Sequence, residues 1–274
     1  MKAFLQVELA RAFKRKWFVI SLIVGFAIAF YNFFADVLPY ALGLDEYLEM
    51  SYPFAYPGSL YNSWLGGNYS MGSYYFFLVL PLLAAIPFSD TLFSDAKSGF
   101  IQNLCIRGEK RSKYFLAKYI AAFCSGGAAV AIPMIFSFCL GCLVYPLMNP
   151  EPATFTTLIG DLSTFPYLYF YFPLLYVLLF AIINFIYGGL YACFGLLSTF
   201  YANYRFLVLI APFLLHLFLM TLLPLVGVKE WVPMNFLQPA YPDYTLYPLI
   251  IEAVALFALT FWRVVIVGSK NDIY

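Results

Sequence analysis

Residues 89–118, SDTLFSDAKSGFIQNLCIRGEKRSKYFLAK, are the one long polar and charged stretch between two apolar runs, and the fold is read outward from them. Ser89 or Asp90 is placed to cap a short helix. Leu92, Phe93, Phe100, Ile101 and Leu104 allow that helix a one-sided apolar face. Gly108 permits a break, the basic group Arg107, Lys110, Arg111 and Lys113 follows, and a new apolar run begins at Tyr114. A short amphipathic helix held between two membrane spans cannot move without moving both. It is a natural handle for a partner to push.

The surrounding composition requires a membrane. Hydrophobic residues make up 64% of the chain and charged residues 11%, against about half and about a quarter in soluble domains. The net charge of +1 gives no reason to expect nucleic acid. None of the five cysteines (Cys105, Cys124, Cys139, Cys142, Cys193) falls in a long exposed loop, so no disulfide framework is expected. Cys139 and Cys142 have the C-x-x-C spacing but sit in an apolar run without a second pair or a nearby His. They are read as packed small residues, and no metal site is expected.

Six spans are expected in a single domain, 1–274. Residues 1–16 carry Leu5, Leu9 and Phe13 at four-residue spacing, continued by Trp17, with Lys2, Arg11, Lys14 and Arg15 mostly on other faces. That pattern describes a helix lying on an anionic leaflet. The apolar run 17–34 is long enough to be a retained first span, and no small-residue cleavage site follows it. Residues 36–71 are too polar and too rich in Pro and Gly to span. They hold eight aromatic side chains between Tyr40 and Tyr69 but no Lys or Arg, and are expected as an outer-surface loop. Asn68-Tyr69-Ser70 matches the glycosylation sequon, a weak pattern.

Span two covers 72–88, and residues 89–113 form the charged inner connector. Span three runs over 114–145 with a small-residue face at Gly126, Gly127, Ala128 and Ala129. Span four, 165–200, is longer than one crossing needs, so a tilt, a kink at Pro173 or an extra interfacial turn is expected. Span five covers 206–223. The apolar segment 225–244, broken by Pro233, Pro239 and Pro242, fits a re-entrant pair of short helices before span six at 245–267. Lys and Arg concentrate before span one, in 89–118, and at Arg205, Arg263 and Lys270, with only Lys229 on the other side. The positive-inside rule then places both termini and the 89–113 connector in the cytoplasm.

Chemistry inside the membrane is sparse. The polar candidates are Asn184 in span four, His216 in span five, which is the only histidine, and Glu252 about two turns into span six. One histidine cannot build the nucleophile–base pair or the H-E-x-x-H cluster of an intramembrane protease. No G-x-x-x-x-G-K-[ST] phosphate loop is present, so no catalytic, cofactor or metal residue is assigned. Energy for uphill movement has to come from another chain.

This arrangement resembles the type-2 permeases of ABC transporters along essentially the whole chain. Residues 2–16 match the family's elbow helix. Asp95, Gly99 and Leu104, followed by Arg107-Gly108-Glu109-Lys110-Arg111-Ser112, match its coupling helix and connector, and 225–244 match its re-entrant hairpin. The tyrosine-rich loop 36–71 departs from the smaller members. The resemblance implies an all-α polytopic permease that exports an amphiphilic cargo (a peptide, a lipid-like molecule or a drug). It implies ATPase coupling through Asp95, Gly99, Phe100, Leu104 and Arg107. It further implies a second permease, identical or related, membrane lipid as surroundings, and a cytoplasmic ATP-binding-cassette ATPase that carries the ATP and Mg. The location implied by the resemblance is a bacterial plasma membrane. The competing expectations are a non-transporting scaffold or sensor subunit and an ion-coupled secondary carrier.

Overall fold

The computed structural model describes residues 2–42, 59–102, 111–150, 159, 163–241 and 246–270, and among them every regular element is helical. Helix α1 covers Lys2–Phe13. Helix α2, Lys16–Asn32, is prolonged by a π-helical turn at Phe33–Val37 and a further turn at Leu38–Leu42. There follow α3 (Met71–Ala85), α4 (Thr91–Lys97), α5 (Arg111–Gly141), α6 (Pro166–Tyr171) and α7 (Pro173–Ser198). The last are α8 (Arg205–Leu225), α9 (Pro233–Leu237) and α10 (Leu246–Phe261), the final one extended by a π-helical stretch at Trp262–Val267.

Among the described residues, five helices are long and apolar enough to cross a membrane: extended α2, α5, α7, α8 and extended α10. The remaining expected span is α3, which has only 15 residues. At 1.5 Å per residue it is about 22 Å long, against about 30 Å of hydrocarbon. Its limits have local causes. The Ser70 hydroxyl accepts from the Ser73 amide at 3.0 Å and caps the first turn. At the other end Ile86 is still helical, its amide donating to the Leu82 carbonyl at 3.1 Å, and Pro87, which has no N–H to donate, follows directly. Short as it is, α3 lies centrally, packed against α2, α5, α7 and α8.

The small-residue face expected on span three is where α5 and α7 meet. A methyl group at Gly126 would lie 2.4 Å from the Ala192 Cβ and 2.9 Å from the Gly188 carbonyl oxygen, and one at Gly188 would lie 3.0 Å from the Gly126 oxygen. The two backbones touch because neither has a side chain there. Helix α7 is the most buried of the five long helices. Helix α8 and extended α10 turn most of their apolar surface outward, as lipid-facing helices do.

The span expected at 165–200 is two helices, α6 and α7, broken at Phe172 just before Pro173, the position of the expected kink. One expectation needs correction. The loop expected on the surface at 36–71 is not one: residues 36–42 prolong α2, and 59–67 enter the bundle, where Leu60, Trp64 and Leu65 are fully buried. Trp64 can sit there because its indole N–H donates to the Tyr61 carbonyl at 2.8 Å. Residues 43–58 lie outside the described residues. Helix α1 packs on the bundle through Glu8 and Ala12, buried against α5, with Leu9 partly buried beside them and the Phe13 ring 5.0 Å from that of Phe18.

Residues 232–240 are also drawn inward, whereas 225–230 stay exposed. Met234, Phe236 and Leu237 are buried, the Ala240 amide donates to the Gly66 carbonyl at 2.9 Å, and the Gln238 side-chain amide donates to the Asn68 carbonyl at 2.9 Å. A cluster of polar groups fills the space above the first turn of α3. The Ser70 hydroxyl meets Asn32 Oδ1 at 2.5 Å, and the Ser73 hydroxyl meets Asn68 Oδ1 at 2.7 Å.

Candidate functional site

At the opposite end of α3 the chain gathers its charges. Asp95 on α4 is buried and accepts from four donor atoms: Arg11 Nη1 at 3.0 Å, Arg11 Nη2 at 2.8 Å, the Tyr114 hydroxyl at 2.6 Å and Lys118 Nζ at 2.5 Å. Lys118, on the first turns of α5, is fully buried and also donates to Glu8 of α1 at 3.1 Å. Its ammonium lies 5.0 Å from the Phe88 ring centre and 5.3 Å from that of Tyr114, where the ring faces attract a cation. Two cations and two carboxylates, Arg11, Lys118, Glu8 and Asp95, thus close a neutral knot that ties α1, α4 and α5 together.

Charge balance explains how such a group can be buried. Removing an ion from water costs several kcal/mol unless its partners and hydrogen bonds are in place, and here every charge has an opposite one. Burial pushes the Asp95 carboxyl upward, but the Arg11 hydrogen bonds, the Lys118 charge and the Tyr114 hydroxyl outweigh it and hold the pKa below the ordinary value. The Arg11 guanidinium is raised, chiefly by its hydrogen bonds to Asp95.

A second junction lies beside the first. Asp90, buried where the chain enters α4, accepts from Arg15 at 2.6 and 3.0 Å and from Arg205 Nε at 2.6 Å, and Arg205 Nη2 also pairs with it. This carboxylate joins the start of α2 to the start of α8. The Lys97 ammonium reaches the Asn203 carbonyl at 3.4 Å. A displacement of α4 is therefore imposed directly on α1, α2, α5 and α8.

The residues singled out in the sequence fall into different surroundings. Asp95 is inside the knot. Gly99 takes φ +70°, a left-handed conformation that glycine adopts without strain, and a Cβ there would meet Gln102 Oε1 at 3.8 Å, an ordinary contact. Phe100 is 43% exposed, with its ring 6.1 Å from that of Tyr114. Leu104, Arg107 and Cys105 lie outside the described residues. The accessible part of the handle is the turn 97–102, next to the knot rather than within it.

The intramembrane polar residues are not gathered into one site. The Asn184 amide donates to the Phe180 and Leu237 carbonyls at 2.9 and 3.2 Å, pinning α9 to α7. His216 is fully buried, its Nδ1 3.0 Å from the Tyr191 hydroxyl, and its Nε2 has no partner. Glu252 borders an apolar groove between α8 and α10, with Oε1 buried and unpartnered.

Sequence reasoning did not anticipate Glu8, Asp90, Arg15 or Arg205 as partners, and took Lys118 only as a topology marker. The available signals were a lone acid on a basic helix and a lysine carried into an apolar run. Each needs an opposite charge when buried. Compared with family models, curated proteins and solved structures, the chain has no match.

Proposed function

We propose that the chain is the membrane-spanning permease subunit of an ATP-driven ABC exporter. A separate cytoplasmic ATPase, carrying ATP and Mg, pushes on the exposed turn at 97–102. The observation that supports this reading most is the two-part charged junction. It links the surface helix α1 and the connector helix α4 to the first turns of α2, α5 and α8. A load applied at Phe100 reaches three long helices through ion pairs, without passing through a flexible loop.

In this reading α3 completes a six-pass bundle, the basic end faces the cytoplasm and holds both termini, and the protein resides in a bacterial plasma membrane. The outward apolar faces of α2 and α8 suit a second permease. The cargo is amphiphilic. An ion-coupled carrier is the second reading, and the unpartnered His216 Nε2 and Glu252 Oε1 are what favour it.

The test is reconstitution with a candidate ATPase encoded beside the chain. The permease in liposomes should bind the ATPase and raise its ATP hydrolysis. Phe100→Asp should abolish both while the purified protein keeps its melting temperature. An ATPase that ignores the wild type, or is stimulated equally by the variant, overturns the proposal. Transport that survives without nucleotide and collapses with a protonophore would establish the carrier instead.

A further inference from the structure

A groove of about 370 Å³ is lined by residues of both α8 and α10. Leu215, Leu219 and Leu223 form one wall, Leu256 and Leu259 the other, and Trp231 borders it. Glu252 supplies the only charged side chain in this lining. It lies six residues into α10, about 9 Å along the helix axis. Beside the groove Ile251 and Val254 are half exposed or more, so it opens sideways onto the lipid-facing surface.

A carboxylate in this position is unexplained by the fold. Its Oε1 is buried, and no donor from α7, α8, α9 or α10 reaches it. An ionised group left alone in an apolar setting is strongly disfavoured. Three other buried acids, Glu8, Asp90 and Asp95, have cationic partners, whereas Asp36 Oδ2, at the rim of a polar cavity, is likewise buried without a partner. The groove provides what an external cation would need, namely a carboxylate for the charge, an indole ring whose face attracts cations, and leucine walls for a hydrocarbon chain.

We propose that this groove binds a monocationic amphiphile, with its ammonium or guanidinium head on Glu252 and its apolar part along the leucine walls. That this ligand is the transported cargo rests on the exporter reading, and the binding site itself does not. Anionic amphiphiles are repelled by the same carboxylate, and uncharged ones leave it unpartnered.

The experiment uses the full chain in phosphatidylcholine nanodiscs, without nucleotide or ATPase. Dodecyltrimethylammonium, dodecyl sulfate and dodecyl maltoside are titrated by calorimetry against empty-nanodisc blanks. The cation should bind at least about tenfold more tightly than either of the others, the scale of one charge-assisted contact. Glu252→Gln should remove that preference, and Trp231→Leu should weaken it several-fold. In a Leu219→Cys variant, saturating cation should slow labelling by a membrane-permeant maleimide.

Absence of charge preference in the wild type, an undiminished preference in Glu252→Gln, or no protection at position 219 would each overturn the proposal. Should Glu252→Gln instead convert a dimer into monomers, the groove is a contact between copies and the proposal fails. Cation binding without any ATPase response would keep the site and remove the exporter reading. ATPase stimulation without cation preference would do the reverse.

Discussion

Replacing Asp95 by asparagine should loosen the charged knot at its centre, and the structure gives the size of the effect. The carboxylate serves two cations in different surroundings. The Arg11 side chain is 41% exposed, so its pairing is partly screened and contributes at most about 1 kcal/mol. Lys118 is fully buried. Removing one member of a buried pair costs about 3–5 kcal/mol, because the other charge is left behind. Glu8 still faces Lys118 at 3.1 Å, and asparagine retains the volume and one acceptor oxygen. The expected loss is therefore about 3 kcal/mol, a large share of a typical stability of about 5–15 kcal/mol.

Equilibrium unfolding in mixed micelles should measure this loss, with Lys118→Met and the double variant completing a cycle. The double variant should be more stable than the sum of the single losses predicts by more than about 1 kcal/mol. The pH dependence has a definite sign. The folded pKa of Asp95 lies below its unfolded value of about 3.9, so the unfolded chain binds the proton more readily. The contribution is complete well above pH 4 and fades as the pH falls through the lower, folded pKa. Asp95→Asn should lack this acid-sensitive component. A loss under about 0.5 kcal/mol, or strict additivity with Lys118→Met, would refute the reasoning.

Two further tests probe the bundle and its orientation. Gly126→Ala places a methyl 2.4 Å from the Ala192 Cβ and should cost about 1–3 kcal/mol by overpacking, with partial recovery in the Gly126→Ala/Ala192→Gly pair. An unchanged melting curve for the single variant would mean that α5 and α7 are not in contact there. For orientation, Met71→Cys, at the exposed first residue of α3, should react with an impermeant thiol reagent on intact cells. Lys97→Cys should react only after permeabilisation, and the opposite pattern would invert the proposed topology.

Hydrophobic run length alone located the long helices, because a 20-residue apolar stretch has few alternatives to helix. The close α5–α7 contact was also legible, since adjacent glycines in an apolar helix have little purpose other than approach. The break before Pro173 followed from backbone sterics. What remained hidden depended on contacts between residues far apart in sequence. Trp64 looked interfacial because its composition resembles a surface belt, yet a single internal hydrogen bond lets it enter the core. The burial of Glu8 was hidden for a related reason: the periodicity of the α1 leucines could not show that Glu8 would meet Lys118, 110 residues later. Asp95 was named only for ATPase coupling; its place inside the knot depends on Arg11 and Lys118 together.

The brevity of α3 changes the barrier along the bundle's axis. Beside that helix the nonpolar thickness falls from about 30 Å to about 22 Å, and the hydroxyl and amide groups of Ser70, Ser73, Asn68 and Asn32 occupy the difference. An adjoining cavity of about 410 Å³, bordered by Asp36, Asn62 and Ser63, carries that hydrophilic environment further. Under the proposed export, a permeant moving along α3 toward this cluster would leave oil for a water-like medium more than one helical turn early, and the final part of its journey would be solvation, not translocation.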